Sequence, residues 1–116
     1  MLSVIVADDH PAMRAGVIAL LGADGGISVA AEASDGREAV ALVAAHRPDV
    51  ALLDLRMPVL DGVGATAEIV ARHPGTRVLI LTTYDTDADI ERAVEAGAVG
   101  YLLKDTTREQ GRSGTC

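Results

Sequence analysis

The sequence is poor in the residues that mark several common classes of protein. Its only aromatic residues are two tyrosines among 116 residues, so aliphatic side chains must fill the core. A single cysteine, Cys116, excludes an internal disulfide. No apolar run approaches the roughly 20 residues that a membrane span needs, and no basic segment leads into an apolar one as in a secretory signal. We therefore expect a cytoplasmic protein without a membrane segment.

Basic residues are also few. Ten Lys and Arg stand against 17 Asp and Glu, which gives a formal net charge of -7. Clustered positive charge is the usual mark of nucleic-acid binding, so this chain alone is not expected to bind DNA. An acidic balance is typical either of a solubilising surface or of a site that gathers carboxylates around a divalent cation.

Five apolar runs of strand length alternate with segments of helical periodicity. Pro11 opens the first helical segment, in which Met13, Val17, Leu20 and Leu21 form the apolar stripe. Alternation of this kind predicts an α/β fold, a doubly wound parallel sheet with helices on both faces. The length suits one domain. The predicted strands cover residues 2–7, 27–31, 49–54, 77–82 and 98–104.

Polar side chains end four of these strands. Asp8 and Asp9 follow the first, and the third, fourth and fifth end in Asp54, Thr82 and Lys104. Ligands bind at the carboxyl edge of an open parallel sheet, so these groups should share one crevice. Each alone is more simply a cap, a turn residue or a solvated charge. Together they predict a site in which a hard cation such as Mg²⁺ relieves the repulsion between carboxylates.

The predicted chemistry is phosphoryl transfer to Asp54. A carboxylate can act as a nucleophile toward phosphorus, and a metal ion and a lysine then spread the charge of the phosphoryl oxygens. A phosphatase of the haloacid dehalogenase type would need a second acid where this chain has Arg56. A flavodoxin-like nucleotide binder would need a phosphate loop where Asp8 and Asp9 would repel the anion. An interaction module that never takes phosphate stays open as the stronger alternative.

Four motifs resemble those of one family. They are Asp-Asp after the first strand, Leu-Asp-Leu-Arg-Met-Pro-Val-Leu-Asp-Gly around Asp54, Leu-Thr-Thr-Tyr after the fourth strand and Gly-Tyr-Leu-Leu-Lys in the fifth. The combination resembles the receiver domain of two-component response regulators, within it the NarL/FixJ (LuxR-type) class. The resemblance implies strand order 2-1-3-4-5. It also implies a regulatory phosphoacceptor, which assists its own phosphorylation and dephosphorylation rather than acting as an enzyme on other molecules.

The resemblance also assigns roles to the metal site. Asp54 would be phosphorylated by a sensor histidine kinase. Asp9 would ligate Mg²⁺ directly, with Mn²⁺ as an alternative ion, Asp8 would act through water, and the backbone carbonyl of Arg56 would be a further ligand. His10, beside the two acids, is interpreted as a solvent-facing residue at the helix start.

The remaining roles concern the response to the phosphoryl group. Thr82 would bond to it, Lys104 would pair with it, and Tyr101 would turn inward as the aromatic switch. Arg56 and Tyr84 fall where the family tunes the phosphoryl lifetime. In a full-length parent, a DNA-binding domain would carry the output to transcription.

The sequence after Lys104 departs from the family pattern. Residues 105–116 show no recurring apolar residue and contain two glycines, where an amphipathic fifth helix would be expected. We therefore predict a receiver domain over 1–104 and a truncated, disordered tail over 105–116. The apolar face that a fifth helix would cover is expected to favour a homodimer.

Overall fold

The computed structural model describes residues 1–82 and 87–103. Within these ranges, strands and helices alternate along the chain. The elements are β1 (Leu2–Ala7), α1 (Pro11–Gly22), β2 (Ile27–Ala33), α2 (Gly36–His46), β3 (Val50–Asp54), α3 (Gly62–Arg72), β4 (Arg77–Thr82), α4 (Asp87–Ala96) and β5 (Gly100–Leu103).

The five strands form one parallel sheet in the order β2-β1-β3-β4-β5. This confirms the predicted fold class and the strand order that the family resemblance implied. In the register, Ala7 pairs with Leu53 and Thr82 pairs with Leu103. The first and third strands are neighbours at the centre of the sheet, so the acids that follow β1 lie beside the acid that ends β3.

Side-chain caps fix where two of the helices begin. Asp35 accepts a hydrogen bond from the backbone N–H of Glu38 at 2.7 Å, and Asp61 accepts one from Gly64 at 2.8 Å. Such caps satisfy amide groups that the first helical turn leaves without partners. Between α2 and α3, Arg37 donates two hydrogen bonds to Glu68, at 2.9 and 3.0 Å. These bonds to Arg37 hold the pKa of Glu68 below its ordinary value.

The two faces of the sheet are packed differently. One face, with Ile5, Leu53 and Ile80, is buried against α2, α3 and α4. The other face carries a smaller cluster, which α1 covers through partly buried residues only. Because buried apolar area dominates folding free energy, the three-helix face contributes more of the stability. The residues buried in the smaller cluster are Val4, Val6, Leu52 and Leu81.

Some local predictions differ from the structure. Strand β2 continues to Ala33 instead of ending at residue 31, because Glu32 and Ala33 still pair with the end of β1. The Glu32 side chain also pairs with Arg14 at 2.9 Å. Val17 and Leu21 pack on the sheet as predicted, whereas Leu20 is 56% exposed. Leu20 and Leu21 are consecutive residues, so their side chains point to different sides of the helix, and that of Leu20 points away from the sheet.

Two further observations bear on the sequence predictions. Strand β5 begins at Gly100, and the predicted tail, with the place of a fifth helix, lies outside the described residues. Among the helices described, none combines the length and apolarity needed to cross a bilayer.

Candidate functional site

The carboxyl edge of the sheet brings three carboxylates together. Asp8 is fully buried and Asp54 is 8% exposed. One ligand atom from each of Asp8, Asp9, Asp54 and His10 can be chosen such that all four atoms lie within 4.8 Å of one another. The pairing of β1 with β3 is the cause, because it sets residues 7 and 53 side by side and the acids directly after them.

This cluster is electrostatically costly. Two carboxylates 4.8 Å apart repel by about 3.5 kcal/mol at an effective dielectric constant of about 20. Local hydrogen bonds offset part of the cost at Asp8. Its Oδ1 accepts the backbone N–H of His10 at 2.9 Å, and Arg14 donates from Nη1 to its carbonyl oxygen at 2.6 Å.

The carboxylate of Asp9 has fewer local hydrogen bonds than that of Asp8 among the described residues. Its Oδ1 is buried and accepts no hydrogen bond from the residues that the structure describes. The Nδ1 of His10 lies 3.0 Å away, without hydrogen-bond geometry, and forms an ion pair only when the imidazole is protonated. A buried oxygen of this kind normally has a partner. Oxygen donors from carboxylates are what Mg²⁺ prefers, so the donor set fits a small divalent cation.

The loop between β3 and α3 closes over the end of β3. The N–H of Gly62 donates to the carbonyl of Leu55 at 2.9 Å. A Cβ at Gly62 would collide with the Asp54 carbonyl oxygen and would lie 2.9 Å from the Leu55 Cα. Only glycine allows this approach. Met57, which lies in this loop, is 8% exposed and belongs to the core.

The other predicted site residues are placed as follows. Thr82 ends β4 and is 6% exposed, and Arg56 lies in the β3–α3 loop with an exposed side chain. Tyr101 pairs with Ile80 in the sheet and is 41% exposed. His10 is at the start of α1 with a side chain that is 71% exposed, in agreement with its interpretation. Lys104 and Tyr84 lie outside the described residues.

One feature escaped the sequence analysis. A cavity of about 580 Å³ adjoins the acidic cluster and is lined in part by Asp9, Arg56 and Arg92. Arg92 comes from α4, so only the folded chain brings it near Asp9 and the β3–α3 loop. Helical periodicity marks its neighbours Ile90 and Ala93 as buried and gives no signal for Arg92 itself.

Comparison with known proteins agrees with this geometry. The sequence matches the family described as "Response regulator receiver domain" over residues 4–113. It is 46% identical over 107 residues to a Mycobacterium tuberculosis protein described as "Probable transcriptional regulatory protein NarL", covering 92% of this chain and 50% of that protein. It is 45% identical to the "DNA-binding transcriptional activator DevR/DosR" of the same species, covering 90% of this chain and 48% of the relative.

A solved structure supports the same relationship. The signal receiver domain of NarL from Mycobacterium tuberculosis superimposes with a TM-score of 0.88 at 46% identity, covering 92% of this chain and 86% of that one. The chain thus spans about half the length of the curated relatives but nearly all of an isolated receiver domain. Domains of this kind in transcriptional response regulators are regulatory. The chain belongs to the response regulator receiver domain family, and within it to the receivers of NarL- and DevR-type two-component response regulators.

Proposed function

We propose that this domain accepts a phosphoryl group on Asp54 from the phosphohistidine of a sensor histidine kinase. The observation that carries the proposal is the buried acidic cluster, in which carboxylates from two adjacent strand ends lie within 4.8 Å. A fold gains nothing in stability from such an arrangement, since each added charge raises the repulsion. Its retention at the carboxyl edge of the sheet is explained by a cation and an incoming phosphoryl group.

The cation would be Mg²⁺, with Mn²⁺ as an alternative. Asp9 and Asp54 would ligate it directly, Asp8 would act through water, and the carbonyl of Arg56 would supply a further oxygen. The buried Oδ1 of Asp9, which accepts no hydrogen bond within the described ranges, supports this set. When bound, the ion neutralises carboxylate charge and polarises the phosphoryl oxygens.

The transfer itself would use the side chain of Asp54. One carboxylate oxygen attacks phosphorus, the P–N bond of the phosphohistidine breaks, and its electron pair returns to the donor imidazole, which then takes a proton. Burial of Asp54 holds the nucleophile in one orientation, and positioning is most of the catalysis in phosphoryl transfer. Attack of water on the same phosphorus would return free carboxylate, so the domain would assist both its own phosphorylation and its own dephosphorylation.

The response would pass through β4 and β5. We propose that the Thr82 hydroxyl bonds to the phosphoryl group, that Lys104 pairs with it, and that Tyr101 turns inward. The partial exposure of Tyr101 leaves it free of the core in the present state. Arg56 and Tyr84 would adjust the lifetime of the phosphorylated state. The added phosphoryl charge would shift the equilibrium between two conformations of the β4–β5 region, one before and one after phosphorylation.

The output belongs to a longer protein. Relatives about twice as long are described as transcriptional regulators, one of them as a DNA-binding activator. We propose that a DNA-binding domain in a full-length parent reads the switch, in a cytoplasmic protein, and that the phosphorylated receiver forms a homodimer.

Incubation with acetyl phosphate and Mg²⁺ tests the proposal directly. Intact mass should show one added phosphoryl group, which is absent in Asp54→Asn and absent when EDTA removes the metal. A wild-type domain that remains unmodified while a known receiver is modified under the same conditions would overturn it. The phosphorylation-independent interaction module would then be the better interpretation.

A further inference from the structure

The cavity beside the acidic cluster is shared between the phosphorylation site and helix α4. Asp9 belongs to both the cluster and the cavity wall. The cavity has a volume of about 580 Å³, within the range of small-molecule sites. A small phosphoryl donor bound at the acidic cluster therefore has room for its non-phosphoryl part in the adjoining cavity, on the side of Asp9.

Two arginines from different parts of the fold belong to the residues that line this cavity. Arg56 comes from the β3–α3 loop and Arg92 from α4. Two acidic residues, Asp9 and Asp61, also line the cavity. Asp61 is engaged as the cap of α3 through its bond from Gly64, and Asp9 faces the acidic cluster. The arginines are the groups suited to an anion that enters the cavity.

An anionic donor needs such groups here. The chain carries a formal net charge of -7, and the carboxylates of Asp8 and Asp9 lie beside the reacting carboxylate of Asp54. An acyl phosphate brings two negative charges on its phosphoryl group. When its bond to phosphorus breaks, it also releases a negatively charged carboxylate. Guanidinium binds carboxylates with two parallel N–H donors and stays charged at every relevant pH.

We propose that Arg92, with Arg56, binds the carboxylate leaving group of small acyl phosphate donors and so sets the donor preference of this domain. The inference rests on the proposed function. In the step considered, an Asp54 oxygen attacks phosphorus, the bond from phosphorus to the acyl oxygen breaks, and its electron pair leaves on acetate. No proton is needed. With phosphoramidate, whose nitrogen is protonated to –NH3⁺ near neutral pH, the P–N bond breaks instead, and its electron pair leaves on the nitrogen as neutral ammonia.

The experiment compares these two donors on the full chain. Second-order rate constants for phosphorylation of Asp54 would be measured by intact mass for wild type, Arg92→Met, Arg92→Lys and Arg72→Met. Arg72 is an exposed helical arginine outside the described cavity wall, so Arg72→Met controls for the change in net charge. Arg92→Met should lower the acetyl phosphate constant about three- to fivefold, as expected for one partly solvated ion pair.

The phosphoramidate constant distinguishes leaving-group binding from a structural effect. It should fall by less than about 1.5-fold in Arg92→Met, because the cationic nitrogen of phosphoramidate leaves as neutral ammonia and gives a guanidinium no anion to bind. Arg92→Lys should recover part of the acetyl phosphate rate. Equal losses with both donors, or losses matched by Arg72→Met, would overturn the inference. If wild type takes phosphate from neither donor, the proposed function itself fails, which is a separate and recognisable result.

Discussion

The two edges of the sheet use similar side chains in opposite ways. At the amino edge, Asp49 accepts the backbone N–H of Ser3 at 2.8 Å, and buried Thr76 donates to the Pro48 carbonyl at 2.7 Å. At the carboxyl edge, three carboxylates face one another, and Asp9 Oδ1 lacks a hydrogen bond within the described part of the chain. The amino edge is closed by its own hydrogen bonds, whereas the carboxyl edge has its oxygens directed at a shared space.

The difference separates polar residues that hold the fold from polar residues that serve a site. A buried polar group that has a backbone partner adds modestly to stability and needs nothing more. A group held near like charges costs free energy until a ligand arrives. Stability measurements with and without metal should therefore divide the two edges.

The largest effect should come from Mg²⁺ itself. At about 100 times its dissociation constant, the ion should raise the free energy of unfolding of the wild type by about 2.7 kcal/mol. Asp9→Asn should abolish most of this gain. Without metal the order should reverse, with Asp9→Asn more stable than wild type by about 1 kcal/mol, because one repelling charge is gone and solvent screens the remainder. Urea unfolding with and without Mg²⁺ measures both.

Glu95→Gln provides the matched control. It removes one negative charge from an exposed position on α4, outside the acidic cluster. It should leave the Mg²⁺ effect as in wild type. If wild type and Asp9→Asn gained equal stability from the metal, the carboxyl edge would not be the binding site.

A substitution at the amino edge should give a smaller effect that is independent of metal. Thr76→Val leaves the buried Pro48 carbonyl without its donor and should cost about 1 to 2 kcal/mol. The loss should be the same with and without Mg²⁺ in the unfolding assay. Thr66→Val is the control. The Thr66 hydroxyl donates to the carbonyl of Gly62, four residues earlier in the same helix, and this bond only supplements a backbone hydrogen bond of the helix. A metal-dependent loss in Thr76→Val would mean that the two edges are coupled.

The fold was largely predictable from the sequence for a physical reason. Both faces of the sheet are covered, so strands β1, β3 and β4 are continuous apolar runs with clear ends. The acids Asp8, Asp9 and Asp54 directly follow or end such runs, and the parallel order alone brings them to one edge. Asp35 was recognisable as a cap from its place before Gly36.

The features that the sequence could not predict depend on contacts between segments that are far apart in the chain. Gly62 is needed because the returning loop touches the Asp54 carbonyl, a contact with no sequence pattern. Met57 enters the core from a loop. Arg92 reaches the cavity only because α4 packs beside α3. The sequence periodicity of a helix does not distinguish one exposed arginine from another. Leu20 was assigned to the wrong face because α1 packs on the sheet through Val17, Ile18 and Leu21, a surface rotated away from Leu20.

The smallest predicted effect concerns strain in the loop at the carboxyl edge. Val59 has a backbone φ of 70° and is 79% exposed, so a β-branched residue occupies the left-handed region without packing in return. Arg47 has a similar φ of 47°, but it caps the end of α2, where this conformation is common. Val59→Gly should raise the free energy of unfolding by about 0.5 to 1 kcal/mol, because relief of strain exceeds the added chain entropy of glycine.

Val99→Gly is the matched control for this change. Val99 is also exposed and lies outside the described helices and strands, but its φ is not positive, so glycine there gains no relief and should lower stability by about 0.5 kcal/mol. Opposite signs for the two variants in thermal unfolding would locate backbone strain beside the acidic cluster. The same sign for both would mean that Val59 relaxes out of the left-handed region in solution, and the carboxyl edge would then differ from the amino edge in its charges alone.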